Sequence, residues 1–178
     1  MSMEFNELIA GAKNNDKKAW KMLVNNYSRR IYSYALSFSG SREFAEEAAQ
    51  EVFFRVYKNI EKIKPVKNDF ERYIYRIAKN YCIDNYRKNK KVIIIESKDY
   101  LVSGWDPDFT LKDLVWKGIN RLNPQDRNLI ILREIEGFSY EEIAKMEKIS
   151  IGTVKSRLNR VRSKLADIIL SLEGGNNE

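Results

Sequence analysis

The chain has 178 residues, with 32 lysines and arginines against 25 acidic residues, a net charge of +7, no histidine and one cysteine. The lack of histidine excludes serine–histidine and cysteine–histidine nucleophiles, and no zinc ligand set can be assembled. A single cysteine allows no internal disulfide and fits a reducing cytoplasm. With no Walker phosphate loop and no dinucleotide glycine fingerprint, no cofactor and no enzyme is expected, and the positive balance favours a polyanionic partner.

In chain order, MSMEFNELIAGAKNN begins an amphipathic helix. No apolar run approaches the length of a bilayer and no signal peptide is recognisable, so membrane insertion is not expected. Asp16 caps a long helix whose apolar positions include Trp20, Leu23, Val24, Tyr27, Ile31, Tyr34, Ala35 and Phe38. Gly40 ends it and Ser41 opens the next, EFAEEAAQEVFFRVYKNI. At 100° per residue that helix turns Ala45, Ala48, Ala49, Val52, Val56 and Ile60 inward. Its outer face carries Glu43, Glu46, Glu47, Gln50 and Glu51, and with them Phe54 and Tyr57. Aromatic anchors ringed by acidic charge suit a protein partner with a basic, partly apolar surface.

Pro65 interrupts a basic loop, IEKIKPVKND, and a further helix starts near Asp69. Phe70, Ile74, Ile77, Ala78 and Tyr81 face inward on it. Arg72, Arg76, Lys79, Asn80, Tyr86 and Arg87 gather on the other side, with Tyr73 and Tyr75 at the margins and Lys88, Lys90 and Lys91 following. Cations interleaved with tyrosines fit single-stranded DNA, in which exposed bases stack on rings for about 1–3 kcal/mol each. Cys82 reads as a small buried apolar residue. Residues 92–109, VIIIESKDYLVSGWDPDF, have no helical period and turn acidic, which makes them a linker. Its Asp106 and Asp108 are the sole support for a magnesium-dependent nuclease, and beside Pro107 a turn explains them better.

Thr110 with Asp113 resembles a capping box opening a helix through Leu111, Leu114, Val115 and Ile119. Asn123 as N-cap, Pro124 at the first helical position and Asp126 in the first turn begin another, with Leu129, Ile130, Leu132 and Ile135 as its apolar positions. The segment FSYEEIAKMEKISIGTVKSRLNRVRSKL, residues 138–165, then reads as a helix-turn-helix. Ser139 and Glu142 form a capping box, and Ile143 and Ala144 face inward. On the second helix Ile151, Val154, Leu158, Val161 and Leu165 make an apolar stripe. Ser156, Asn159, Arg160 and Ser163 lie opposite, flanked by Lys155, Arg157, Arg162 and Lys164. Short polar side chains and an arginine read base edges, while flanking cations hold phosphates.

The expected fold is therefore all-α, in two helical domains: residues 1–91 and residues 110–172, joined by the linker 92–109 and followed by a disordered tail, 173–178. A stand-alone helix-turn-helix transcription regulator, binding duplex DNA as a dimer, is the alternative reading, although no heptad or long apolar helix face supplies a dimer contact.

Taken together, EFAEEAAQEVFFRVYKNI followed by FERYIYRIAKNYCIDNYRKNKK resembles region two of the bacterial extracytoplasmic-function sigma factors. INRLNPQDRNLIILREIEGFSYEEIAKMEKISIGTVKSRLNRVRSKL resembles their region four. Both blocks, in this order across a short linker, cover nearly all of the chain. The resemblance implies a promoter-recognition subunit of RNA polymerase that works in the cytoplasm and is a monomer when free. It implies that Glu47, Gln50, Glu51 and Phe54 bind the clamp helices of the polymerase largest subunit, and that region four meets the flap. It implies capture of the melted minus-10 strand, with one flipped base, by Lys64, Lys67, Asn68, Arg72, Tyr73, Arg76, Asn80 and Arg87. The minus-35 duplex falls to Lys155, Ser156, Arg157, Asn159 and Arg160. An acidic linker in the RNA exit channel and an anti-sigma factor are implied as well. The chain departs from the family at Tyr73 and Ile74, where tryptophan and leucine are common. It departs again at Asn123, where leucine often precedes proline, and at Lys148, where glycine is frequent.

Overall fold

The computed structural model describes residues 4–88 and 109–174, with side chains for 4–88 and 114–173. The linker up to residue 108 with its two aspartates, Lys90 and Lys91, the Thr110–Asp113 cap and residues 175–178 lie outside the described side chains.

Four helices form the first half: α1 (Phe5–Lys13), α2 (Lys17–Ser39), α3 (Arg42–Lys58) and α4 (Lys67–Lys88), with a 3-10 turn, Ile60–Lys62, between α3 and α4. Local chemistry sets their ends. The Asp16 carboxylate accepts from Lys18 N at 2.8 Å, and the Ser41 hydroxyl accepts from Phe44 N at 3.2 Å. Between α2 and α3 the backbone must turn through φ 74°, which Gly40 adopts at no steric cost while its N–H closes on Leu36 O. The small Ala45 and Ala48 are fully buried where α3 packs on α2. Phe70 anchors α4 to the bundle, its ring 5.1 Å from Tyr27 and 5.5 Å from Phe5. The helix begins at Lys67, two residues before the expected Asp69, so Lys67 and Asn68 sit in its first turn. Phe53 is buried as well, although the 100° projection leaves it between the faces of α3.

The second half comprises α5 (Phe109–Arg121), α6 (Pro124–Ile130), α7 (Tyr140–Glu147) and α8 (Ile151–Gly174). Asn123 accepts from Gln125 N and Asp126 N at 3.1 and 2.9 Å. The Ser139–Glu142 box closes in both directions, at 3.1 and 2.9 Å. One expectation is corrected after α6. Residues Ile131–Ile135 form a π-helical turn, closed by Glu136 N bonding to Ile131 O, five residues back. The wider turn shifts the phase of the apolar pattern, so Ile131 is buried and Ile135 is 40% exposed. The turn of the helix-turn-helix rests on Lys148 at φ 56°, with Ile149 N bonded to Ala144 O at 3.1 Å. This left-handed position is the one where a lysine replaces the more usual glycine. Across the halves, α4 packs against α6 and α7, and α2 against the π-helical turn.

Candidate nucleic-acid interface

On α8 the buried residues are Val154, Leu158 and Val161, which lock the helix to α7 and α6. Their burial fixes what points outward: Lys155, Ser156, Arg157, Asn159 and Arg160 are all exposed. Arg157 and Arg160 make no hydrogen bond or ion pair among the described residues, so both guanidinium groups stand open to a ligand. The neighbouring cations are held instead. Arg162 bonds Glu134 at 2.6 Å, and Lys164 lies 3.5 Å from Asp126. Beside the helix a cationic nest surrounds Tyr140, with the Arg133 guanidinium 4.7 Å and the Lys155 ammonium 5.9 Å from its ring centroid. Hydrogen bonding from Arg162 draws the Tyr140 hydroxyl below the usual phenol range. The sequence reading missed Arg133 and Tyr140, because neither lies on the helix that carries the pattern.

Around the start of α4 the loop from Asn59 to Lys64 folds back against the helix and leaves an open cavity of about 390 Å³. Lys64, Tyr73 and Arg76 line it, as the resemblance implies. So do Asn59, Lys62, Ile63, Asp69 and Phe70, which sequence alone did not place there. Ile63 and Phe70 are anchored in the core, while the Arg76 guanidinium sits 5.6 Å from the Tyr73 ring centroid at the rim. An apolar floor with an aromatic wall and cations at its mouth is the form in which a planar, uncharged base can stack while its phosphates meet positive charge. Lys67, Asn68, Asn80 and Arg87 are exposed along the same stretch but do not line the cavity, and Arg72 pairs with Asp69.

Three residues of the expected strand-tracking face lie elsewhere. Lys79 bonds Glu147 of α7 at 3.0 Å. The Tyr86 ring is covered by the Arg127 guanidinium at 5.3 Å. Tyr75, placed at the margin, is 1% exposed. All three meet the second half of the chain, a contact that no helical projection of one segment can reveal.

On α3 the outer face is as expected: Glu47 and Gln50 are exposed, Glu51 is half-buried, and Phe54 and Tyr57 are 52% and 54% exposed. The charge is less one-sided than the sequence suggests. Arg55 bonds Glu51 at 2.6 Å, and the Lys58 ammonium lies 4.2 Å from the Phe54 ring centroid. Tyr57 stands edge-on to Trp20 at 5.4 Å, which continues the aromatic patch onto α2.

Comparison with known proteins follows the same division. Residues 23–92 match the family Sigma-70 region 2, and residues 112–165 match Sigma-70, region 4. The ECF RNA polymerase sigma factor SigE of Mycolicibacterium smegmatis is 32% identical over 160 residues, 85% of this chain and 62% of that protein. SigW of Bacillus subtilis, also an ECF RNA polymerase sigma factor, is 29% identical over 181 residues, 93% of this chain and 96% of that protein. Among solved structures, CnrH in complex with the cytosolic domain of CnrY matches with a TM-score of 0.72 at 21% identity, covering 95% of this chain and 99% of that one. RpoE of Bartonella quintana, in complex with the anti-sigma factor NepR, matches with a TM-score of 0.70 at 23% identity, over 85% of this chain and 97% of that one. At such identities the structures establish a shared fold.

Proposed function

This chain belongs to the extracytoplasmic-function sigma factors of bacterial RNA polymerase, and on that premise we propose that it directs the core enzyme to specific promoters, reading the minus-35 element as duplex through α8 and the melted minus-10 strand through α4. The chain carries out no reaction itself. Binding opened DNA more tightly than closed DNA shifts the promoter toward the open form by the difference between the two affinities. Its place of work is the cytoplasm, with the polymerase. No helix among the described residues is long and apolar enough to cross a membrane.

The observation that carries this reading is the cavity beside Tyr73, present on the same chain as an exposed recognition helix. A regulator that binds duplex alone has no use for a base-sized cavity framed by Lys64 and Arg76. Extruding a base costs a few kcal/mol, and stacking within the cavity offsets it. The outer face of α3, with Glu47, Gln50, Glu51 and Phe54, is assigned to the core enzyme. An anti-sigma partner, such as the one held by RpoE, would compete for it.

A fluorescent base analogue at the position to be flipped tests the assignment. With core polymerase and the wild-type chain, fluorescence should rise as the base leaves the stack. With Tyr73→Ala the rise should be lost or strongly slowed, while binding of minus-35 duplex is retained. An unchanged fluorescence rise with Tyr73→Ala would remove the cavity from the mechanism.

A further inference from the structure

The loop that walls the cavity beside Tyr73 is not held by its own segment alone. Within that segment the Asn59 amide donates to Arg55 O at 2.9 Å, Lys62 N to Asn59 O at 3.0 Å and Ile63 N to Ile60 O at 3.1 Å. The result is one 3-10 turn, which is short and poorer in hydrogen-bond geometry than an α-helix. Its two backbone bonds use the Asn59 and Ile60 carbonyls. The Glu61 carbonyl between them and the loop is met from elsewhere: Lys13, 48 residues earlier in the last turn of α1, donates its ammonium to Glu61 O at 3.0 Å. At the other end of α1 the Phe5 ring lies 5.5 Å from that of Phe70. Lys62, Ile63 and Phe70 line the cavity, whereas Lys13 and Phe5 do not. Helix α1 thus braces the lining at two points without being part of it.

The brace is itself firmly seated. Leu8, Ile9 and Ala12 of α1 are buried, and α1 packs on both α2 and the 3-10 turn. Gly11 permits the close approach to α2, because a Cβ there would stand 2.7 Å from Ala19 Cβ. Lys13 is half-buried, so its ammonium extends from a fixed helix end. Helix α1 also lies ahead of residues 23–92, the stretch that matches Sigma-70 region 2, so this support falls outside the family's region 2 pattern.

We propose that α1 is a strut for the minus-10 cavity, in which Lys13, acting through Glu61 O, and Phe5, acting through Phe70, are positioning residues for capture of the flipped base. The inference rests on the assignment of that cavity to a melted base. A base gains its full stacking energy only against a wall already in place. A wall that must be ordered on binding returns part of that energy as lost freedom, and a misplaced one loses contact. Removing the strut therefore weakens the hold on the flipped base and leaves backbone contacts and duplex reading as they were.

The test uses the full chain with core polymerase. The probe is a single-stranded oligonucleotide carrying the minus-10 strand of a promoter at which the chain initiates, beside copies with one abasic site moved along it. The wild type should lose most affinity at one abasic position, which marks the captured base. Lys13→Met keeps the stem and removes the donor, and should weaken binding of the intact strand about three- to tenfold, the weight of one net hydrogen bond. It should bind the strand that is abasic at the marked position as the wild type does. Lys13→Arg should restore binding, and Phe5→Ala should show the same base-dependent loss, with minus-35 duplex affinity unmoved in every variant. Equal weakening of intact and abasic strands by Lys13→Met would reduce the lysine to added charge and overturn the strut. Undiminished binding of the intact strand by both Lys13→Met and Phe5→Ala would overturn it as well. Hydrogen exchange of the free chain needs no DNA and separates the two readings. Amides 59–64 should exchange several-fold faster in Lys13→Met, with α2 and α3 unchanged. Unchanged exchange overturns the strut. Faster exchange, in a protein whose wild type binds every abasic strand as tightly as the intact one, overturns the cavity reading and with it the strut's part in base capture.

Discussion

Replacing Arg160 by alanine separates base reading from mere charge. Arg160 is exposed on α8, opposite the Val154, Leu158 and Val161 stripe, and has no hydrogen-bonding or ionic partner among the described residues. Its loss leaves no buried group unpaired and opens no cavity, and alanine and arginine are both good helix formers. Stability should therefore change by less than about 0.5 kcal/mol. Binding should change far more. A bidentate arginine–guanine contact is worth about 1–3 kcal/mol of discrimination, which is roughly 5- to 150-fold at one base pair. The assay is fluorescence anisotropy of the chain with core enzyme on minus-35 duplexes bearing single base-pair changes, at one fixed salt concentration, followed by a salt titration. Arg160→Ala should erase the preference at one base pair and leave the others intact, with the salt slope nearly unchanged. Equal weakening on every duplex, with the slope reduced by about one, would show that Arg160 only neutralises a phosphate.

Glu51→Arg should abolish binding to core polymerase, since it reverses charge in the middle of the α3 face and also repels Arg55. Unchanged capture of core enzyme by a tagged chain would reject that contact. Lys148→Gly should stabilise the protein by about 0.5–1 kcal/mol, because a lysine at φ 56° bears a steric cost that glycine does not. The melting temperature should rise by about 1–4 °C, and a fall would mean that the lysine side chain offsets the strain. Burial lifts the Glu136 carboxyl above the usual carboxylate range, against the Tyr75 hydrogen bond and Arg30, which pull it down. The folded protein thus holds this proton more tightly than the unfolded chain, so the group stabilises below its unfolded pKa and loses that contribution as pH rises through its folded pKa. Glu136→Gln should raise the melting temperature at neutral pH, with the advantage vanishing in acid. Melting curves showing a loss at every pH would refute this.

Within each segment the sequence was highly legible, because caps and apolar periods are local. Asp16, Ser41, Asn123 and Ser139 cap the helices expected of them, and Val154, Leu158 and Val161 of the projected α8 stripe are buried, while Ile151 at its start is 39% exposed and Leu165 is half-buried. The misplacements share a different origin. A π-helical turn changes the period in mid-segment, so Ile131 and Ile135 exchange roles. Lys79, Tyr75 and Tyr86 looked like parts of a nucleic-acid surface because their partners, Glu147, Glu136 and Arg127, lie 41 to 68 residues away. The cavity needed a loop folded back on α4, and only some of its wall, Lys64, Tyr73 and Arg76, carried a motif.

Transcription in vitro, with purified core polymerase and genomic fragments, tests the central claim most directly. Specific transcripts should appear when this chain is added, starting downstream of a common pair of sequence elements. They should disappear with Glu51→Arg. Transcription that is the same with and without the chain, on fragments the chain nevertheless binds, would contradict the assignment and leave a duplex-binding regulator in its place.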